Sequence, residues 1–386
     1  MKSLGLILTR LHYFAPSWVF ASMNIMVGTW VLYLPYVKSK LVLNEAELGT
    51  ALFFSALGLL LSIPVVPFLN KKIKEGRSTQ VGILLLTLAF NLLLLAPNYT
   101  SLCGSLFLIG VFSGFTDISM NAVVSIIEQR DKQNLMSAAH GFFSLGGFLG
   151  AGIGSLIIQQ QLSPPFHMLF ITGAVLCSNL FLSSHYLKIE DPESPTPKPK
   201  YKGIKNITPI LGLALVAFIV MLNEGAVEHW STLFLHETVK LPENQAAYGF
   251  VLFSLTMTVG RFLGDGISHK MGAIKTLTYG FAIALLGYVF ILNTEAVLSI
   301  SGFGMLGLGL SVVVPEIIRL AGKNSLLNAS EAISTVTGIG YIGFLMGPII
   351  LGYIANWTSL TSSYLFLGST AVLGLGIVLL GIRIKN

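Results

Sequence analysis

The chain has 386 residues, of which 53% are hydrophobic and 10% charged, with a formal net charge of +6. Soluble domains carry about a quarter charged residues, so this balance excludes one and points to a polytopic helical membrane protein. The basic residues gather in short segments between apolar runs, which reads as membrane topology and argues against a nucleic-acid partner.

About 20 apolar residues suffice to cross a bilayer. Twelve such runs occur, at residues 13–37, 46–69, 79–96, 101–127, 136–159, 166–187, 208–235, 246–266, 274–292, 296–319, 331–355 and 363–383. The first is too long for a signal-peptide core and lacks a small-residue cleavage site, so it is expected to stay as a span. With the N-terminus in the cytoplasm, only Lys38, Lys40 and Lys240 of the 23 lysines and arginines fall outside, and Arg261 sits near the inner end of span 8. That bias places both termini in the cytoplasm. The expected location is a bacterial inner membrane. Cys103 and Cys177 lie inside apolar runs and read as packing residues.

One connection is long. KIEDPESPTPKPKYKGIKN, residues 188–206, is rich in Pro and Lys and reads as a cytoplasmic linker. The expected division is a six-helix bundle at 1–187, a linker at 188–207 and a second six-helix bundle at 208–386. The halves resemble each other. Trp30 matches Trp230, Gly49 matches Gly249, Leu52-Phe53 matches Leu252-Phe253, and Gly147-Phe148-Leu149 matches Gly343-Phe344-Leu345. A repeat of this kind places a solute site between the halves near the membrane midplane.

Twelve spans, a 6+6 repeat and a central cytoplasmic loop resemble the major facilitator superfamily of secondary transporters. Gly260-Arg261-Phe262-Leu263-Gly264-Asp265 followed by Lys270-Met271-Gly272 is similar to that superfamily's signature between the second and third helices of a half. The first-half counterpart, Pro64 to Lys72, lacks the acid. GFTDISMN (Gly114 to Asn121), HGFFSLGGFLGA (His140 to Ala151) and EGAVEHWS (Glu224 to Ser231) resemble the MosC/YbjJ-like subgroup of bacterial facilitators. Where that subgroup is expected to carry Asp before the Trp, this chain has His229. The resemblance implies an all-α polytopic membrane protein with the major facilitator fold, working by alternating access.

Ionisable residues inside spans mark solute or proton paths, or lock helices together. Asp117 and Asn121 lie one turn apart on span 4, with Glu128 further along the same face, and His140 opens span 5. Glu224 and Glu228 lie one turn apart on span 7 beside His229 and Trp230, with Asn24 at the repeat position of Glu224. Glu224 is the leading candidate for proton coupling, with Asp117 and His140 as further candidates. Asn24, Trp30, Asp117, Asn121, Glu224, Glu228 and Trp230 are the candidate solute contacts. The two tryptophans suit stacking on a sugar-like ring, and equally suit the bilayer interface. Glu128, Arg130, Arg261, Asp265, Glu316, Arg319 and Glu331 gather at cytoplasmic helix ends, as an inner gate or as static ion pairs; Glu316 and Arg319 are spaced to pair within one helix.

Glycines 146, 147, 150, 340, 343 and 347 permit close helix contact. Gly347-Pro348 stands in span 11, whereas span 5 has no proline; superfamily antiporters typically carry Gly-Pro in span 5, which leans the reading away from efflux. No P-loop, HExxH, cysteine-pair metal site or GxSxG elbow is present, so neither an enzyme, a cofactor nor a bound metal is expected. The expected function is proton-coupled symport of a small polar organic solute, sugar- or polyol-like, by a monomer in the lipid bilayer. Na⁺ or a cationic solute also suits two acids and a histidine. Drug or metabolite efflux and a non-transporting receptor are the rival readings.

Overall fold

The computed structural model describes residues 2–133, 135–158, 160, 162–189, 210–322 and 329–381. In chain order the helices are α1 (Lys2–Thr9), α2 (Leu11–Leu32), α3 (Leu34–Lys40), α4 (Glu45–Ser62), α5 (Val66–Ile73), α6 (Glu75–Leu95), α7 (Tyr99–Asp131), α8 (Met136–Ile158) and α9 (Pro164–Leu182). Then follow α10 (Leu211–Leu233), α11 (Glu243–Ala246), α12 (Tyr248–Met271), α13 (Ala273–Leu292), α14 (Ala296–Leu310), α15 (Val313–Gly322), α16 (Ala329–Trp357) and α17 (Leu360–Gly381). Among the described residues there is no strand. Eleven helical segments are long and apolar enough to cross a membrane, and α2 with α3, bent by 48°, makes a twelfth.

Three spans that read as continuous in the sequence are broken, each beside a proline. Pro35 opens α3 at the bend, Pro64 lies between α4 and α5, and Pro315 stands in the first turn of α15. Proline has no amide to donate and fits best in the first turn of a helix, so the chain stops and restarts at these three, whereas Pro16 and Pro348 are accommodated inside α2 and α16. Other ends are closed by side chains. Asn44 and Glu47 form a reciprocal cap on α4, Asn98 and Ser101 do the same on α7, and Lys40 Nζ donates to the carbonyls of Leu94 (2.9 Å) and Ala96 (3.0 Å) at the end of α6.

The described residues form two compact units, one from residues before 195 together with Pro242–Val251, the other from the remainder. In the first, α2 packs on α8 and α7 on α4 and α6; in the second, α10 packs on α16 and α13 on α14 and α17. Small residues set the closest approaches. A Cβ added at Gly28 of α2 would lie 2.6 Å from the Gly147 carbonyl of α8, and one at Gly347 of α16 would lie 2.6 Å from the Leu222 carbonyl of α10. Close backbone approach at a glycine thus marks both the α2–α8 pair and the α10–α16 pair.

The repeat also explains one strained residue. Lys74, between α5 and α6, has φ 72° and ψ 150°, and its counterpart between α12 and α13 is Gly272 with φ 79° and ψ 161°. This region is open to glycine and costly to a residue with a Cβ. Lys74→Gly is expected to stabilise the folded protein by about 1 kcal/mol, read as a higher unfolding temperature in detergent.

Candidate functional site

In the second unit the polar groups gather on α10. Its first three turns, LGLALVAFIVML, are apolar throughout, as a helix within a bilayer requires; the polar residues begin at Asn223. Glu224 Oε2 lies 3.4 Å from Arg261 Nη2 of α12, and the two side chains are 14% and 18% exposed. Glu224 Oε1 is buried with no hydrogen-bond partner among the described residues. Glu228 follows one turn later, half-buried, and His229 Nδ1 faces the Gly225 carbonyl at 2.9 Å. Two carboxylates thus lie one turn apart on α10, the first of them paired with Arg261. In a low-dielectric interior a buried charge needs close compensation, so such a group favours taking up one further positive charge.

The sequence placed Arg261 among gate residues at a helix end, and the structure instead seats it against Glu224. The 37 residues separating them in the chain hide this pairing, which only the packing of α10 and α12 creates. Asn223, the neighbour of Glu224, has no role assigned from the sequence. It accepts from Tyr288 Oη of α13 and donates to Thr370 Oγ1 of α17 at 3.0 Å, tying three helices at the level of Glu224.

In the first unit, Asn121 Nδ2 donates to Asp117 Oδ1 at 3.1 Å and to the Asp117 carbonyl at 2.8 Å, so these two form one polar group on α7. Asn24 of α2 is buried; its Nδ2 donates to the Phe143 carbonyl of α8 at 2.9 Å, and its Oδ1 is buried without a partner among the described residues. His140 is half-buried and stands edge-on to Phe20, ring centroids 5.0 Å apart. Trp30 and Trp230 are both fully enclosed, at 3% and 0% exposure, and the Trp230 indole donates to the Pro348 carbonyl at 3.1 Å. Neither tryptophan is an interface anchor, and neither offers an open ring face; the α10–α16 contact absorbs Trp230.

The expected gate residues separate into local pairs. Glu128 Oε1 accepts from the backbone N–H groups of Leu135 and Met136 (2.8 Å to the latter), capping the start of α8. Four N–H groups at a helix start lack intrahelical partners, and a carboxylate satisfies them well. Glu128→Ala is expected to lower stability by about 1 kcal/mol while leaving the coupling of transport to protons unchanged, measured by thermal unfolding and by gradient-driven uptake. Arg130 pairs with its neighbour Asp131 at 2.8 Å on the surface, and His12 Nε2 lies 3.6 Å from the same carboxylate. Glu316 and Arg319 pair within α15, as their spacing allows, and both contact Ser268 of α12. The first unit carries a neutral counterpart, Ser119 Oγ donating to Asn70 Oδ1 at 2.8 Å. The side chains of Asp265 and Glu331 lie outside the described residues. Among the described residues no group of three or more His, Cys, Asp or Glu could hold a metal ion.

A family model described as Major Facilitator Superfamily matches residues 17–326. The chain belongs to the major facilitator superfamily. It is 29% identical over 339 residues to an uncharacterised MFS-type transporter of Yersinia pestis, covering 88% of this chain and 87% of that one. It is 27% identical over 352 residues to membrane protein MosC of Rhizobium meliloti, covering 91% and 85%. Among solved structures it is similar to a mutant form of the nucleoside transporter NupG, with a TM-score of 0.75 at 10% identity, covering 97% of this chain and 100% of that chain. It is also similar to a bacterial homologue of the human lysosomal transporter Spinster, with a TM-score of 0.70 at 12% identity, covering 96% of both. The chain therefore has the major facilitator fold, an all-α integral membrane architecture with a six-helix repeat.

Proposed function

We propose that this major facilitator is a proton-coupled symporter of a small polar organic solute, sugar- or polyol-like, in a bacterial inner membrane with both termini in the cytoplasm. One observation carries the reading: Glu224 is paired with Arg261 inside the membrane region, with Glu228 one turn away. A proton arriving on Glu224 neutralises its carboxylate and weakens its hold on Arg261, so proton uptake and rearrangement of α10 against α12 are linked. The guanidinium donors turned toward Glu224 and the protonated carboxyl are then available to hydroxyl groups of the solute. Asp117, Asn121 and Asn24 provide further polar groups in the first unit, of which Asn24 Oδ1 is the one still wanting a donor. The protein carries out no covalent chemistry in this scheme.

The test is flux in liposomes containing only this protein. Uptake of a sugar or polyol accelerated by a pH gradient, acid outside, supports symport. Acceleration only when the gradient is reversed indicates antiport and export. No flux of any solute that the protein binds would contradict a transporter.

A further inference from the structure

The short helix α5 has two unlike faces. Val66 and Asn70, one turn apart, are buried, with Asn70 bonded to Ser119 of α7. The opposite side exposes Phe68, at 77%, together with Lys71 and Lys72, three and four residues on. Residues at those spacings share one helix face, so an apolar ring and two cations form a single stripe. Lys74 and Arg77, at the turn and in the first turn of α6, are exposed as well. Residues 71–77 hold four cations and one acid, the half-buried Glu75, so the segment itself carries an excess of positive charge.

Position 74 adds an independent observation. Its backbone conformation is one that glycine adopts freely, and the other half of the repeat has glycine there. Lys74 stands in that conformation with an exposed side chain, as Lys71 and Lys72 are exposed. The second-unit turn carries only Lys270 and Lys275 as exposed, described cations.

We infer that Phe68, Lys71, Lys72, Lys74 and Arg77 form a docking surface for the head group of an anionic phospholipid, with Phe68 in the acyl region and the cations on the phosphate. Charge complementarity selects the occupant: an aromatic ring exposed one turn from paired lysines suits a molecule that is apolar at one end and anionic at the other. A soluble anion would leave Phe68 uncovered.

The test uses the full-length protein carrying Phe68→Trp in vesicles that contain either brominated phosphatidylcholine or brominated phosphatidylglycerol. The fluorescence lost from the added tryptophan, taken as the difference from the same protein without the substitution, reports which lipid sits at position 68. Quenching by the anionic lipid is expected to reflect about fivefold enrichment over phosphatidylcholine, decreasing at high salt. Replacing Lys71, Lys72, Lys74 and Arg77 together by Gln is expected to bring the ratio to about one, whereas Lys270→Gln with Lys275→Gln leaves it unchanged. Equal quenching by the two lipids in the otherwise native protein, or a ratio unaffected by the four substitutions, would overturn the inference. So would loss of the enrichment on adding inorganic phosphate at millimolar concentration, which would identify a soluble anion as the occupant. If the fourfold variant fails to fold, Lys71→Gln with Lys72→Gln must still lower the ratio.

Discussion

Glu224→Gln is expected to abolish accumulation of solute against its gradient, a fall of at least about tenfold, while solute exchange at equal pH on both sides continues. Glutamine keeps the shape and a hydrogen-bond acceptor for Arg261 but cannot take up and release a proton. The Arg261–Glu224 contact of 3.4 Å loses its ionic character but keeps a hydrogen-bonding partner of the same shape. The single variant is therefore expected to fold. Replacing both glutamates by Gln removes the carboxylate paired with Arg261 together with its neighbour one turn away on α10, and is expected to lower stability more than the single substitution does. Uptake assays on the single variant and thermal unfolding of both separate the two roles.

The largest structural effect is expected at the closest helix contacts. Gly28→Val would drive a side chain against the backbone of Gly147 and Ala151, and Gly347→Val against that of Leu222. Backbone atoms in a packed helix pair cannot move aside as a side-chain tip can, so each substitution is expected to cost about 3 kcal/mol. Size-exclusion profiles after extraction should show loss of the monodisperse species for both. Gly104→Val is the control, because nothing lies within 4 Å of a Cβ added there.

The fold was largely legible in the chain because its determinants are local and additive. Twelve apolar runs each state their own span, and the family follows from their number, their repeat and three short motifs. The breaks at Pro35, Pro64 and Pro315 were present in the sequence too, but apolar runs on both sides conceal them from a hydropathy count. The candidate site was legible only in part. Asp117 and Asn121, one turn apart, pair as their spacing suggests, and Glu316 and Arg319 do so as well. Arg261 read as a gate residue because its position along span 8 says nothing about which helix it faces. Glu128 read as part of a gate because the N–H groups that it caps belong to a helix start that hydropathy places only to within a few residues. Trp230 read as either a ring platform or an interface anchor because an indole says nothing of its own burial; its N–H donates to the Pro348 carbonyl of α16.

The central claim is that solute and proton cross together through a site that includes Glu224. The most direct test is to trap a pH-sensitive dye inside liposomes containing the protein, add solute outside with no initial pH gradient, and record the internal pH. Acidification of the interior on adding solute, absent from Glu224→Gln vesicles that still exchange solute, is the expected result. Solute entry without any change in internal pH would contradict it.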